Sequence, residues 1–114
     1  MAKQLHISDL LDIYGSLLTE KQQRLLEYYY NDDLSLAEIA ENEGITRQAV
    51  RDTLKRAAAQ LEQTEKLLGI YKQNAAISEK VDEIIRLCDE MQGENANRIK
   101  SVALSLKEGE IIGI

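Results

Sequence analysis

The stretch Glu38–Val50, EIAENEGITRQAV, decides the fold. A small residue, Ala40, stands where a second helix has to cross the first closely. Four positions on, Gly44 tolerates the positive φ that a tight inter-helix turn requires. Ile45 and Val50 then offer apolar anchors, and Ile39 completes the inner face. Two caps bracket the segment. Ser35 with Glu38 three residues later makes a capping box, and Thr46 stands where the next helix must begin. These spacings are those of a helix-turn-helix over about residues 35–56, with a short helix of about 36–43 and a second one beginning near Arg47.

The same local chemistry continues upstream. Ser8 is placed to cap a first helix with Ile7, Leu10, Leu11, Tyr14, Leu17 and Leu18 on one face. Thr19 with Gln22 forms another capping box, opening a helix that should run to about Tyr30 with Leu25, Leu26 and Tyr29 inward. Asn31, Asp32 and Asp33 then compete for backbone hydrogen bonds and end it.

Downstream, the helix that begins near Arg47 should continue until Gly69, about twice the length a recognition helix needs. Its surplus carries Leu54, Leu61 and Leu68 at seven-residue spacing, a packing stripe for a partner helix. A fifth helix, about residues 75–91, presents Ile77, Val81, Ile84, Cys88 and Met91 at steps of four and three, again a heptad seam. Gly93 breaks it, and Asn95 is placed to cap a last helix with Ile99, Val102, Ala103 and Leu106 on one face. The final KEGEIIGI has no helical face and should fray. The expected fold is all-α. A helix-turn-helix domain over residues 1–70 precedes a helical extension over 71–114 that packs on the long helix, dimerises, or both.

Composition agrees with this fold and narrows the function. The 114 residues are 44% hydrophobic and 30% charged, with no Pro, Phe or Trp, and no alternating run of strand-favouring residues. The single cysteine rules out an intramolecular disulfide and fits a reducing cytoplasm. No apolar run approaches the ~20 residues of a membrane span, so a cytoplasmic protein that needs no membrane is expected. With one His and one Cys far apart, neither a hydrolytic triad nor a zinc site assembles in one chain. The six Gly are scattered and form no phosphate loop. An enzyme, a cofactor or a metal is therefore not expected.

Recognition residues have to sit at the start of the second helix and point away from its anchors. That selects Thr46, Arg47, Gln48, Arg51, Asp52, Lys55 and Arg56. Arg holds guanine bidentately and Gln does the same for adenine, while Lys55 and Arg56 lie further along and suit phosphates. The chain as a whole carries a net charge of -6, yet residues 46–56 hold four cations against Asp52 alone, a local net of +3. The excess acid lies in the flanking segments, although Glu38, Glu41 and Glu43 stand close by. Such an island neutralises about three to four phosphates, for a shallow salt slope of roughly -3. A homodimer would double the contacts.

The run Leu18–Leu61 resembles sigma-factor region 4, where a capped helix precedes a Ser-x-x-Glu-Ile-Ala segment and a recognition helix. YGSLLTEKQ, SLAEIAE and RQAVRDTLKR look still more like the YlxM family of small bacterial helix-turn-helix proteins, over about residues 5–90. The resemblance implies a sigma region 4-like helical fold. Through the family's gene neighbourhood, it also implies a regulatory role in the signal recognition particle pathway. The expected partner is nucleic acid, DNA before RNA. The alternative is an adaptor that binds the signal recognition particle GTPase or its RNA. One departure stands out: the position before Gly44, usually apolar in both families, is Glu43.

Overall fold

The computed structural model describes residues 6–108, and among these the regular structure is entirely helical. The helices are α1 (His6–Tyr14), α2 (Glu20–Leu26), α3 (Leu36–Glu43), α4 (Arg47–Leu68), α5 (Ile70–Asp89) and α6 (Glu94–Glu108). They form two compact units that divide between Gly69 and Ile70. The expected ending in KEGEIIGI falls largely on residues 109–114, outside the described residues.

In the N-terminal unit, α1, α2 and α3 all pack on α4. The core is aliphatic with one large ring: Ile7, Tyr14, Leu25, Leu26, Ile39, Val50 and Leu54 are fully inaccessible to water. Local chemistry sets the helix starts. Thr19 Oγ1 accepts from the Gln22 N–H at 3.1 Å while Gln22 Oε1 accepts from the Thr19 N–H at 3.1 Å. The Ser35–Glu38 box has the same reciprocal geometry.

Two expectations fail here. Ser8 does not cap α1, which begins at His6; its hydroxyl instead donates to Asn31 Oδ1 at 2.7 Å. The second helix does reach Tyr30, but not as α-helix. After Leu26 it widens into a π-helical turn, Glu27–Asn31, that buries Tyr29 and sets the Tyr29 and Tyr30 rings edge to face at 5.0 Å. Asp33 follows in the left-handed region at φ 59° and closes the turn.

The length of α4 has a cause other than a partner helix. Leu54 and Leu61 of the proposed stripe are buried inside the N-terminal unit, 0% and 1% exposed, while Leu68 is half exposed. The surplus turns of α4 are covered by α1, which lies along them and ties to them. Tyr14 Oη donates to Glu65 Oε1 at 2.7 Å, and His6 Nε2 lies 3.2 Å from Glu62 Oε1. Gly69 then ends α4 at φ 65°.

The C-terminal unit is a hairpin of α5 and α6. α5 starts at Ile70, five residues before its expected start, because nothing between Gly69 and Ala75 breaks a helix. Of its seam, Val81 and Cys88 are buried, Ile77 and Ile84 are partly covered, and Met91 lies beyond the helix end, half exposed. α6 begins at Glu94, so Asn95 sits inside it rather than capping it. Of the apolar face expected on α6, only Ala103 is buried. Ala96 and Ala103 are buried, while Ile99, Val102 and Leu106 remain 45–65% exposed. Small residues let the helices approach closely, and flanking ion pairs hold them: Lys107 to Asp82 at 2.9 Å and Lys100 to Asp89 at 3.1 Å.

Candidate nucleic-acid interface

Gly44, at φ 67°, makes the turn between α3 and α4, and the Ile45 N–H donates to the Ala40 carbonyl at 3.1 Å. A left-handed residue here closes the short helix and redirects the chain within two residues. Thr46 Oγ1 then accepts from the Ala49 N–H at 3.0 Å and starts α4. Ile39 and Ala40 of α3 are buried, as is Val50 of α4, so the close crossing is real and the two helices form one rigid corner.

Burying Val50, Leu54, Ala57 and Leu61 fixes how α4 is turned about its axis. At roughly 100° per residue, Gln48 and Asp52 fall within about 30° of the direction opposite that buried line, and Lys55 within about 50°. Arg51 lies roughly 90° and Arg47 roughly 130° to one side, and Arg56 lies about 50° to the other, mirroring Lys55. Gln48, Asp52, Lys55 and Arg56 are exposed, as are Thr46 and Arg47, and Arg51 is half-buried. Thr46 caps α4, and the other six candidate residues belong to its first turns.

The four cations are available. Among the described residues, none of Arg47, Arg51, Lys55 and Arg56 takes part in an ion pair. Asp52 is engaged instead with a neutral neighbour: Gln48 Nε2 donates to its Oδ1 at 2.9 Å. Two of the three nearby glutamates are also engaged. Glu38 accepts from the Ser35 N–H and is held below the usual carboxylate range by its hydrogen bonds to Ser35. Glu43 accepts both Arg24 Nε (3.0 Å) and Nη2 (2.7 Å), and this hydrogen-bonded pairing lowers its pKa.

Two features of the site were not read from the sequence. One is the Arg24–Glu43 fork from α2 to the end of α3; its only signal was an acid in a place that suits an apolar residue. The other is a cleft of about 350 Å³ between the start of α3 and α4, lined by Ser35, Leu36, Ala37, Arg47, Gln48 and Arg51. The remaining candidates lie apart. Leu54 and Leu61 belong to the core described above, and Ile77, Val81, Ile84, Cys88 and Met91 belong to the C-terminal unit. Among the described residues no three His, Cys, Asp or Glu cluster as metal ligands, and no helix is long and apolar enough to cross a membrane.

Comparison with known proteins gives this geometry a family. The UPF0122 family profile, described as "Putative helix-turn-helix protein, YlxM / p13 like", matches residues 1–103. A UPF0122 protein of Desulforamulus reducens is 51% identical over 88 residues, covering 76% of this chain and 75% of that protein. Another, from Clostridium kluyveri, is 45% identical over 94 residues, covering 82% and 85%. A third, from Clostridium perfringens, is 44% identical over 94 residues, covering 82% and 78%. The helix-turn-helix corner and the extent of these matches lead to one conclusion: the chain belongs to the UPF0122, YlxM/p13-like family of helix-turn-helix proteins.

Proposed function

We propose that this protein is a cytoplasmic, non-enzymatic regulator that docks the first turns of α4 on nucleic acid, duplex DNA before RNA. The observation that carries the reading is the set of four unpaired cations, Arg47, Arg51, Lys55 and Arg56, on a capped and anchored helix inside an acidic chain. Unpaired guanidinium and ammonium groups on a rigid helix are what phosphate and base edges need. The pairing of Glu43 with Arg24 reduces the local repulsion that the sequence alone suggests. The test is duplex binding across a salt series, with Arg47→Ala/Arg51→Ala as the control.

The proposal includes a homodimer joined through the C-terminal unit. A two-helix hairpin that, among the described residues, buries only Val81, Cys88, Ala96 and Ala103 leaves much of its apolar surface uncovered. Ile99, Val102 and Leu106, with Ile84, line an open groove of about 480 Å³. The same strip on a second copy would fill it by two-fold pairing. Two recognition helices would then double the phosphate contacts.

A setting in the signal recognition particle pathway rests on the family resemblance. In the adaptor alternative, binding to that particle's GTPase or RNA survives Arg47→Ala/Arg51→Ala and falls when surface carboxylates are neutralised.

A further inference from the structure

We infer that Gln48 and Asp52, hydrogen-bonded to each other at 2.9 Å on the outermost line of α4, are the base-reading pair. Arg47, Arg51 and Arg56 grip phosphates on either side. This rests on the proposed nucleic-acid function and assigns labour within it.

A helix seated in a groove puts the face opposite its core anchors nearest the groove floor, and its flanks nearest the sugar-phosphate walls. The anchors here are Val50 and Leu54, both fully buried. Gln48 and Asp52 therefore face the floor, while Arg47 and Arg51 face one wall and Arg56 the other. Arg47, Arg51 and Gln48 all line the cleft beside α3. Lys55, between the floor line and the Arg51 flank, reaches the same strand as Arg51.

The chemistry of Asp52 supports the same division. A carboxylate facing a phosphate wall would be repelled; facing the groove floor, it needs a donor. In the major groove the donors are the amino groups of cytosine and adenine, whereas guanine and thymine present acceptors there. The hydrogen bond from Gln48 occupies one oxygen of the Asp52 carboxylate and leaves the other for the base. It also leaves the Gln48 carbonyl oxygen and one N–H for an adjacent edge. The ligand class is B-form duplex DNA with an amino-bearing base, C or A, at the position under Asp52. The deep, narrow major groove of duplex RNA does not admit the helix.

The test is selection from a random duplex DNA library by the full chain, with affinities then measured on the enriched and base-swapped duplexes. Wild type should prefer C or A over G or T at one position by at least about fivefold. Asp52→Ala and Gln48→Ala should bring that preference to within about twofold. Arg51→Ala should weaken every duplex by a similar factor and reduce the salt slope by about one. An unaltered base preference in Asp52→Ala, with binding retained, overturns the assignment and leaves the nucleic-acid function standing. So does a change of preferred base in Arg51→Ala. Failure of wild type to bind any duplex at low salt overturns both.

Discussion

Arg24, near the end of α2, grips Glu43, the last residue of α3, through two hydrogen bonds of 3.0 and 2.7 Å. The Glu43 side chain is only 13% exposed, so the acid fills a place suited to an apolar plug and brings its own counter-charge. The fork ties α2 to the residue just before the Gly44 turn. Removing Arg24 leaves the Glu43 carboxylate unpaired at the C-terminal end of α3, whereas replacing both partners by apolar groups does not. Arg24→Ala should therefore lower the melting temperature, and Arg24→Met/Glu43→Leu should melt at or above wild type. Thermal unfolding by circular dichroism checks this, and a double variant less stable than Arg24→Ala contradicts it.

The same pair sets a pH dependence. Arg24 lowers the Glu43 pKa below its usual 4.5, so the unfolded chain binds the proton more readily. The contribution is full above the unfolded value and is lost as pH falls through the lower folded value. Between pH 6 and 3, wild type should lose stability more steeply than Glu43→Gln, measured by urea unfolding at each pH. Parallel curves would remove the pair as the cause.

Much of the fold was legible because its signals are local. Thr19 with Gln22, Ser35 with Glu38, and Thr46 mark helix starts within four residues of themselves, and Gly44 and Gly69 mark ends by their backbone freedom. What escaped depends on residues distant in the chain. Ser8 carries the chemistry of a cap, but its hydroxyl is taken by Asn31, 23 positions away. Leu54 and Leu61 share the spacing of a coiled-coil seam, and only the packing of α1, α2 and α3 on α4 makes them core. In α6, periodicity favours the large residues Ile99, Val102 and Leu106, whereas close helix packing favours Ala96 and Ala103. For the site, the candidate residues were readable from helix phase. Their division into floor and flanks needed the burial of Val50 and Leu54 and the Gln48–Asp52 contact.

The turn into the recognition helix should be sensitive to small changes. At Gly44 an added Cβ would meet nothing within 4 Å, so Gly44→Ala carries only the conformational penalty of φ 67°, about 1 kcal/mol. Thr46→Ala removes the cap on the Ala49 N–H and should cost a further ~1 kcal/mol. Equilibrium urea unfolding measures both, and a change below about 0.3 kcal/mol in either would contradict the proposed turn energetics.

Along α4 the leucines should separate by burial. Leu54→Ala opens a cavity at a fully inaccessible site and should cost about 2–5 kcal/mol, whereas Leu68→Ala, at 53% exposure, should cost under about 1 kcal/mol. Equal losses would mean that Leu68 is covered in solution, as a dimer through the end of α4 would require.

For the proposed dimer the sensitive residue is Val102, 65% exposed at the centre of the α6 strip. Val102→Asp should turn a dimer into a monomer in sedimentation equilibrium while helical content is kept. A wild type that sediments as a monomer at about 100 µM, roughly a hundred times a micromolar dissociation constant, would exclude this pairing.

The most direct test of the central claim is the salt dependence of binding to a random-sequence DNA duplex by fluorescence anisotropy, run on wild type and on Arg47→Ala/Arg51→Ala. The account predicts binding at low salt with a log–log slope of roughly -3 per recognition helix, doubled in a dimer. The double variant should bind at least about tenfold more weakly, with a slope shallower by about two per recognition helix. Wild-type binding that is absent at 50 mM salt, or equal in the two proteins at every salt concentration, would contradict it.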